Sequence, residues 1–125
     1  MPKTATYKLY IDGRWISSES GETYSRVNPA NYNEVLGKFQ QGNGKDVDKA
    51  IDAAEDAFEK WREVPPPKRG EILFRVAQLL KEQKEELARV MTREMGKILT
   101  ETRGDVQEAI DTCELMAGEG RRLFG

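Results

Sequence analysis

A mainly α-helical fold with a short N-terminal β-hairpin region is what this 125-residue sequence predicts. Three observations carry the prediction. From Asp46 onward, apolar residues recur at steps of three and four, the spacing of one helix face. Before that point, aromatic and β-branched residues cluster around turn-forming pairs. Proline and glycine then divide the periodic stretch into four segments. A β-hairpin arm is placed at residues 1–44 and a helical segment at 45–125.

Residues Tyr7 to Ile16 (YKLYIDGRWI) are read as a hairpin, because Asp12-Gly13 accepts the positive φ of a tight turn. A second strand pair is expected from Glu22 to Asn28 and Val35 to Gln40, on either side of the turn-rich stretch Pro29-Ala30-Asn31-Tyr32-Asn33. Two to four short strands follow from this reading. Isolated hairpins are only marginally stable in water, so such an arm needs something to lie on.

The first helix carries Val47, Ala50, Ile51, Ala54, Phe58 and Trp61 on one stripe, with Asp46 and Asp48 in its first turn, where carboxylates suit the helix dipole. Pro65-Pro66-Pro67 is expected to form a stiff extended connector. A second helix from about Lys68 to Gln83 has Ile72, Leu73, Val76, Leu79 and Leu80 as its stripe. A third, from about Glu85 to Met95, carries Leu87, Val90, Met91 and Met95 and stops at Gly96. The fourth starts near Leu99 and runs toward Leu123, with Val106, Ile110, Cys113, Ala117, Gly120 and Phe124 on its stripe. Gly104, Gly118 and Gly120 each weaken that helix by about 1 kcal/mol relative to alanine. Such a helix depends on tertiary packing, and its glycines mark close approach of another backbone.

Composition excludes several functions. Twenty Lys and Arg against twenty-two Asp and Glu leave a net charge of −2, without the basic surplus that a phosphate-holding nucleic-acid binder needs. No apolar run approaches the roughly 18 to 20 residues that span a bilayer, and no signal-peptide core is visible. The expectation is a soluble, cytoplasmic domain that binds neither nucleic acid nor membrane. The absence of histidine removes every Ser–His or Cys–His pair. The single cysteine, Cys113, forms no intrachain disulfide. It lies between Ile110 and Ala117 on the apolar stripe with no basic partner, and is expected in the core. Neither GxGxxG nor GxxxxGK[ST] is present, and Gly42-Asn43-Gly44 reads as a linker. Lys68, Arg69, Arg75, Lys81 and Lys84 alternate with acids as on a solvated face. Arg121-Arg122 suits the carboxyl end of a helix. Asp105 and Glu108, three residues apart, are neighbours bordering the last apolar stripe; a solvated face is their plain reading. No catalytic or cofactor-binding residue is assigned.

The ordered set YIDGRW, VNPAN, GNGKDVDKAIDAAEDAFEKW, PPPKRGEILFRVAQLLKEQKEELARVMTREMGK and DVQEAIDTCELMAGEGRRLFG resembles the N-terminal part of the NAD(P)-dependent aldehyde dehydrogenases, from about Tyr7 to Gly125. WREVPPPKRGE and EMGKILTETRGDVQEAIDTCE look like the antiquitin branch, the α-aminoadipic semialdehyde dehydrogenases. The resemblance implies a fragment of an α/β fold that lacks its parallel Rossmann-like sheet, its catalytic cysteine, its general base and its NAD or NADP site. The implied parent reaction oxidises an aldehyde to a carboxylic acid, passing hydride to NAD(P) from a thiohemiacetal on a cysteine. The fragment alone is expected to be inactive and to hold no cofactor. Its partners would be the missing remainder or further copies meeting through exposed helix faces. The alternative is a self-standing helical module for interaction or oligomerisation.

The resemblance also implies two sites. A structural monovalent cation would be held by backbone carbonyls at Arg26 and Val27 and by the acid Asp105. Glu108 stands where phosphorylated-substrate and malonic-semialdehyde branches have an arginine and the antiquitin branch a glutamate. It would meet a substrate's amino group, since a carboxylate suits an ammonium and opposes a phosphate.

Overall fold

The computed structural model describes residues 4–122. The chain divides into two compact units, residues 1–62 and 63–125.

The first unit holds five strands among the described residues: β1 (Thr6–Tyr7), β2 (Leu9–Ile11), β3 (Arg14–Ile16), β4 (Thr23–Asn28) and β5 (Asn31–Gln40). The expected hairpin is β2 against β3, with Tyr10 opposite Trp15 and Ile11 opposite Arg14. Its turn places Asp12 at φ 52° and Gly13 at φ 71°, the double left-handed geometry that Asp-Gly supplies. Tyr7 is not part of this hairpin. It belongs to β1, which pairs in parallel with β5, giving a second sheet in the order β1-β5-β4. Tyr7 stacks on Phe39 at 4.9 Å, and Tyr24, directly across from Phe39, lies 6.0 Å from the same ring. The turn between β4 and β5 is shorter than expected. Only Pro29-Ala30 connects them, and Asn31, Tyr32 and Asn33 are already in β5. Asn28 accounts for this, because its Oδ1 accepts the Ala30 N–H at 2.9 Å and so closes the bend locally.

Helix α1 (Gly44–Trp61) completes the unit. Asn43, read as linker, is its N-cap. The Asn43 Oδ1 accepts from the Lys45 and Asp46 amides while Asp46 returns a bond to the Asn43 N–H at 3.0 Å, a capping box. The other Asp46 oxygen accepts the Glu19 N–H at 3.0 Å, and Glu19 pairs with Lys49, so the strand connection is tied to the helix start. These backbone bonds, led by that from Asn43, hold the buried Asp46 carboxyl below its usual range despite the opposing effect of desolvation. The predicted stripe exists, but Val47, Ile51, Phe58 and Trp61 remain about half exposed.

Among the described residues the second unit holds three helices: α2 (Pro66–Glu82), α3 (Lys84–Met95) and α4 (Leu99–Glu119). With α1 this makes the four helices expected. The three prolines do not form an extended connector. Pro65 alone is extended, at ψ 139°, and Pro66 and Pro67 are the first two residues of α2. Proline fits there because its fixed φ is helical and those amides lack intrahelical partners in any case. The Lys68 and Arg69 amides both donate to the Pro65 carbonyl, at 2.9 and 3.2 Å. Gly96 ends α3 in the left-handed region, as predicted. Helix α4 stops at Glu119, short of Leu123; Leu123 and Phe124 lie outside the described residues.

Two contacts make this unit. Ala88, Val106 and Ile110 form its buried core, with Leu80, Leu87, Met91 and Leu99 packed around them. Farther along, α2 and α4 approach so closely that Gly70 lies under the Ala117 carbonyl, with Ala77 and Ala117 fully buried. The inward face of α2 is therefore Gly70, Leu73, Ala77 and Leu80, and the predicted Ile72, Val76 and Leu79 lie exposed. Thr102, also fully buried, exchanges a 2.8 Å hydroxyl bond with Thr92 and donates to the Leu99 carbonyl, which leaves no polar atom of that side chain unpaired.

A bidentate pair fastens α3 to α4. Arg103 Nε and Nη2 each lie 2.8 Å from a Glu85 oxygen, with Arg89 adding a third cationic contact. Arg103, foremost, and Arg89 hold the Glu85 carboxyl down to about 2, from an ordinary 4.5. A depressed carboxyl stabilises the fold above its unfolded pKa, and that contribution fades as pH falls from about 4.5 toward about 2. The stability difference between wild type and Glu85→Gln, followed by urea unfolding, should be full at neutral pH and vanish across that acid window. A difference independent of pH would remove the ion pair from the account.

Candidate functional site

The residues singled out for chemistry lie on β4 and on α4. On β4, Arg26 sits opposite Gly37 and Val27 opposite Val35, and the ladder shifts register on both sides of Val27. A regular antiparallel ladder commits its carbonyls to the neighbouring strand; an irregular one leaves room for another partner. The ladder at Arg26 and Val27 is irregular in this way.

On α4, Glu101, Asp105 and Glu108 fall at steps of four and three and share one face. Glu108 is exposed and makes no side-chain hydrogen bond among the described residues. Asp105 is half-buried, and its Oδ2 lies 2.5 Å from the Lys97 Nζ. That bond, foremost, raises the Lys97 ammonium above its ordinary value; the Glu101 and Glu108 charges act in the same direction and desolvation opposes them. The one acid proposed for a cation already faces an ammonium, and the one proposed for a substrate ammonium has the same lysine in its field. Lys97 has no place in the sequence reading, because it lies before the start of α4, eight residues from Asp105.

Other candidates resolve more simply. Cys113 is a free, half-buried thiol on α4. Among the described residues, no group of three or more His, Cys, Asp or Glu side chains could hold a metal ion. Lys68 pairs with Glu71, Lys81 with Glu114 and Arg122 with Glu119, as solvated basic residues do. No helix of the described residues is long and apolar enough to cross a membrane.

Two concavities stand out, one in each unit. In the first, about 460 Å³ lies over Ile11, Ile16 and Ala53 and is rimmed by Arg14, Lys49, Asp52 and Asp56. In the second, a groove of about 350 Å³ is lined by Leu80, Leu87, Val90, Met91 and Val106. Neither lining includes the thiol of Cys113.

Comparison with known proteins supplies what this geometry lacks. The chain is 45% identical over 125 residues to malonate-semialdehyde dehydrogenase 2 of Geobacillus thermodenitrificans, covering all of this chain and 26% of that protein. It is 42% identical over 118 residues to α-ketoglutarate semialdehyde dehydrogenase of Haloferax volcanii, covering 94% of the chain and 24% of the relative. The crystal structure of an NAD-dependent aldehyde dehydrogenase from Sinorhizobium meliloti superposes with a TM-score of 0.92 at 33% identity, over 98% of this chain and 25% of that one. These relatives act on malonate and α-ketoglutarate semialdehydes by name; they lend no support to the antiquitin placement. The aldehyde dehydrogenase family model matches residues 15–125. The chain spans about a quarter of the length of these relatives, and over that quarter sequence and fold agree: it belongs to the aldehyde dehydrogenase family.

Proposed function

We propose that this chain is the N-terminal quarter of a cytoplasmic semialdehyde dehydrogenase and has no turnover of its own. The protein as a whole would convert an aldehyde and water to a carboxylic acid, with hydride passing to NAD or NADP. The parallel sheet, the nucleophilic cysteine and the cofactor site belong to the portion that follows. The observation that carries this reading is the TM-score of 0.92 over 98% of the chain at only 25% of the matched structure.

In that longer protein Glu108 is the proposed substrate-facing residue. Its carboxylate favours an amino-bearing aldehyde, as in the antiquitin branch, and disfavours an acidic semialdehyde. The Arg26 and Val27 carbonyls are proposed ligands of a monovalent cation, joined by Asp105 only where Lys97 releases it. An exposed Glu108 and an irregular ladder at Val27 favour the first two assignments, whereas the Lys97 bond to Asp105 opposes the third.

The test assays the 125-residue chain and its extended reading frame side by side with NAD and NADP. The short chain should show no rate above buffer; turnover that tracks the pure short chain would overturn the proposal. In an active longer protein, Glu108→Gln should raise KM for an amino-bearing aldehyde by about ten- to a hundred-fold, the worth of a charge-assisted hydrogen bond of about 1.5–3 kcal/mol. An unchanged KM for that substrate, or a lowered KM for malonate semialdehyde alone, would move the specificity to the acidic class named by the relatives.

The second reading, an oligomerising module, is favoured by the large apolar residues exposed on each unit, notably Phe58, Trp61, Ile72, Phe74 and Leu79. Sedimentation equilibrium of the same short chain reports on it, since association through these faces gives a mass that rises with concentration.

A further inference from the structure

We propose that Asn43 is a site of spontaneous covalent modification, at which the Gly44 nitrogen displaces the Asn43 side-chain amide as ammonia in the folded chain. The sequence holds four asparagines, and the residue after each one separates them. Asn28 precedes Pro29, which has no N–H and so offers no nucleophile. Asn31 precedes Tyr32 and Asn33 precedes Glu34, neighbours whose side chains crowd ring closure, and both are held in β5. Asn43 precedes Gly44, where nothing lies within 4 Å of the missing Cβ.

The fold leaves this pair able to react. Both residues are exposed to water. Gly44 is the first residue of α1, so its N–H has no intrahelical acceptor, and among the described residues it donates to no other group. At ψ −176° that nitrogen stands gauche to the Asn43 Cβ, so a five-membered ring closes by rotation about the bonds of Asn43 itself. The electrophile is the side-chain carbonyl. Its Oδ1 accepts from the Lys45 amide at 2.9 Å and from the Asp46 amide at 3.4 Å. Negative charge gathers on Oδ1 as the nitrogen adds. Two amides at the positive end of a helix are already aimed at that oxygen, the arrangement of an oxyanion hole. The same bonds that cap α1 therefore favour attack on the residue that caps it.

The reaction balances with water alone. The bond from the Gly44 nitrogen to Cγ forms, the Gly44 proton passes through solvent to Nδ2, and the Cγ–Nδ2 bond breaks to release ammonia and leave a succinimide. Water then opens the ring at either carbonyl. Opening at Cγ gives an aspartate, which caps a helix as well as asparagine does. Opening at the main-chain carbonyl gives an isoaspartate. Its backbone runs through the former side chain, so the oxygen that held the Lys45 and Asp46 amides is drawn into the main chain and the cap is lost. None of this depends on dehydrogenase activity, because it concerns two residues of the first unit.

Peptide mapping by mass spectrometry of the folded 125-residue chain, aged in mildly alkaline buffer, tests the proposal. The mass gain of an amide turned to an acid should appear in residues 39–45, which carry Asn43, before residues 27–38, which carry the other three asparagines. Isoaspartate methyltransferase should label the aged 39–45 segment. The rate at Asn43 in the folded chain should lie within about tenfold of the rate in urea, a difference small on the scale of reaction barriers. Lys45→Pro removes the 2.9 Å donor at the second helical position, where α2 carries Pro67. It should slow the folded reaction by at least about tenfold, since one oxyanion donor is lost, and leave the rate in urea unchanged. A first mass gain in residues 27–38, or a folded wild type that reacts more than about tenfold slower than in urea, overturns the proposal without reference to any variant. A folded Lys45→Pro chain that reacts as fast as wild type overturns the role given to the capping amides, and the proposal with it.

Discussion

Replacing Ile110 with alanine should lower the unfolding free energy of the second unit by about 2–5 kcal/mol, the range for deleting a large aliphatic side chain from a packed interior. Ile110 is 0% exposed and, among the described residues, shares its buried cluster with Ala88 and Val106. Leu80, Leu87, Met91 and Leu99 close around it from α2, α3 and the start of α4, so one truncation opens a void that all three helices share. Small domains are stable by only about 5–15 kcal/mol, which makes this a large fraction of the total. Ile72 on the outer face of α2 is the control. It is 51% exposed, and Ile72→Ala should change stability by no more than about 0.5 kcal/mol, as surface substitutions do. Urea unfolding of the two variants should separate them clearly. Equal losses would mean that α2 turns a different face inward.

The second large effect has a sign that helix propensity alone gets wrong. Gly70→Ala removes a helix-weakening glycine from the interior of α2 and by propensity should gain about 1 kcal/mol. It should instead cost stability, by about 1–3 kcal/mol, because the added methyl overpacks a filled contact. The obstacle is the Ala117 carbonyl of α4, a backbone atom that cannot rotate aside as a long side chain would. Gly120 is in the same position, its missing Cβ falling 2.6 Å from the Pro66 oxygen. Gly104, also in α4, meets nothing within 4 Å, and there Gly104→Ala should stabilise by up to about 1 kcal/mol. Thermal melts of Gly70→Ala and Gly104→Ala should therefore shift in opposite directions. A shift of both toward higher temperature would show that α2 and α4 can part without loss.

The four helices are legible in the sequence because a 3.6-residue period is a local property, visible wherever Val47, Ile51 and Phe58 or Val106 and Ile110 repeat. The face that turns inward is less legible. In α2 the eye follows Ile72, Val76 and Leu79, yet burial goes to Gly70 and Ala77, since small residues let two backbones approach and large ones hold them apart. Pairings between distant segments are not legible at all. Thr6 and Tyr7 meet Lys38 and Phe39 in parallel, and no local pattern announces a two-residue strand with a partner that far away. Asn43 and Asp46 were within reach of sequence reasoning, because Asn followed three residues later by an acid is the spacing of a capping box. The candidate site divides the same way. Asp105 and Glu108 emerge from family likeness and helical spacing, whereas Lys97 enters only when the turn after Gly96 folds it back.

The proline start of α2 bears on what this helix end can offer an anion. A helix N-terminus usually offers free amides and a partial positive charge, and so is a natural seat for a phosphate. Pro66 and Pro67 have no N–H to offer, and the Lys68 and Arg69 amides are both spent on the Pro65 carbonyl. The dipole is present and the donors are not. This end of α2 is a helix start with its backbone donors already spent, a positive pole that attracts a charge without a free amide to grip it.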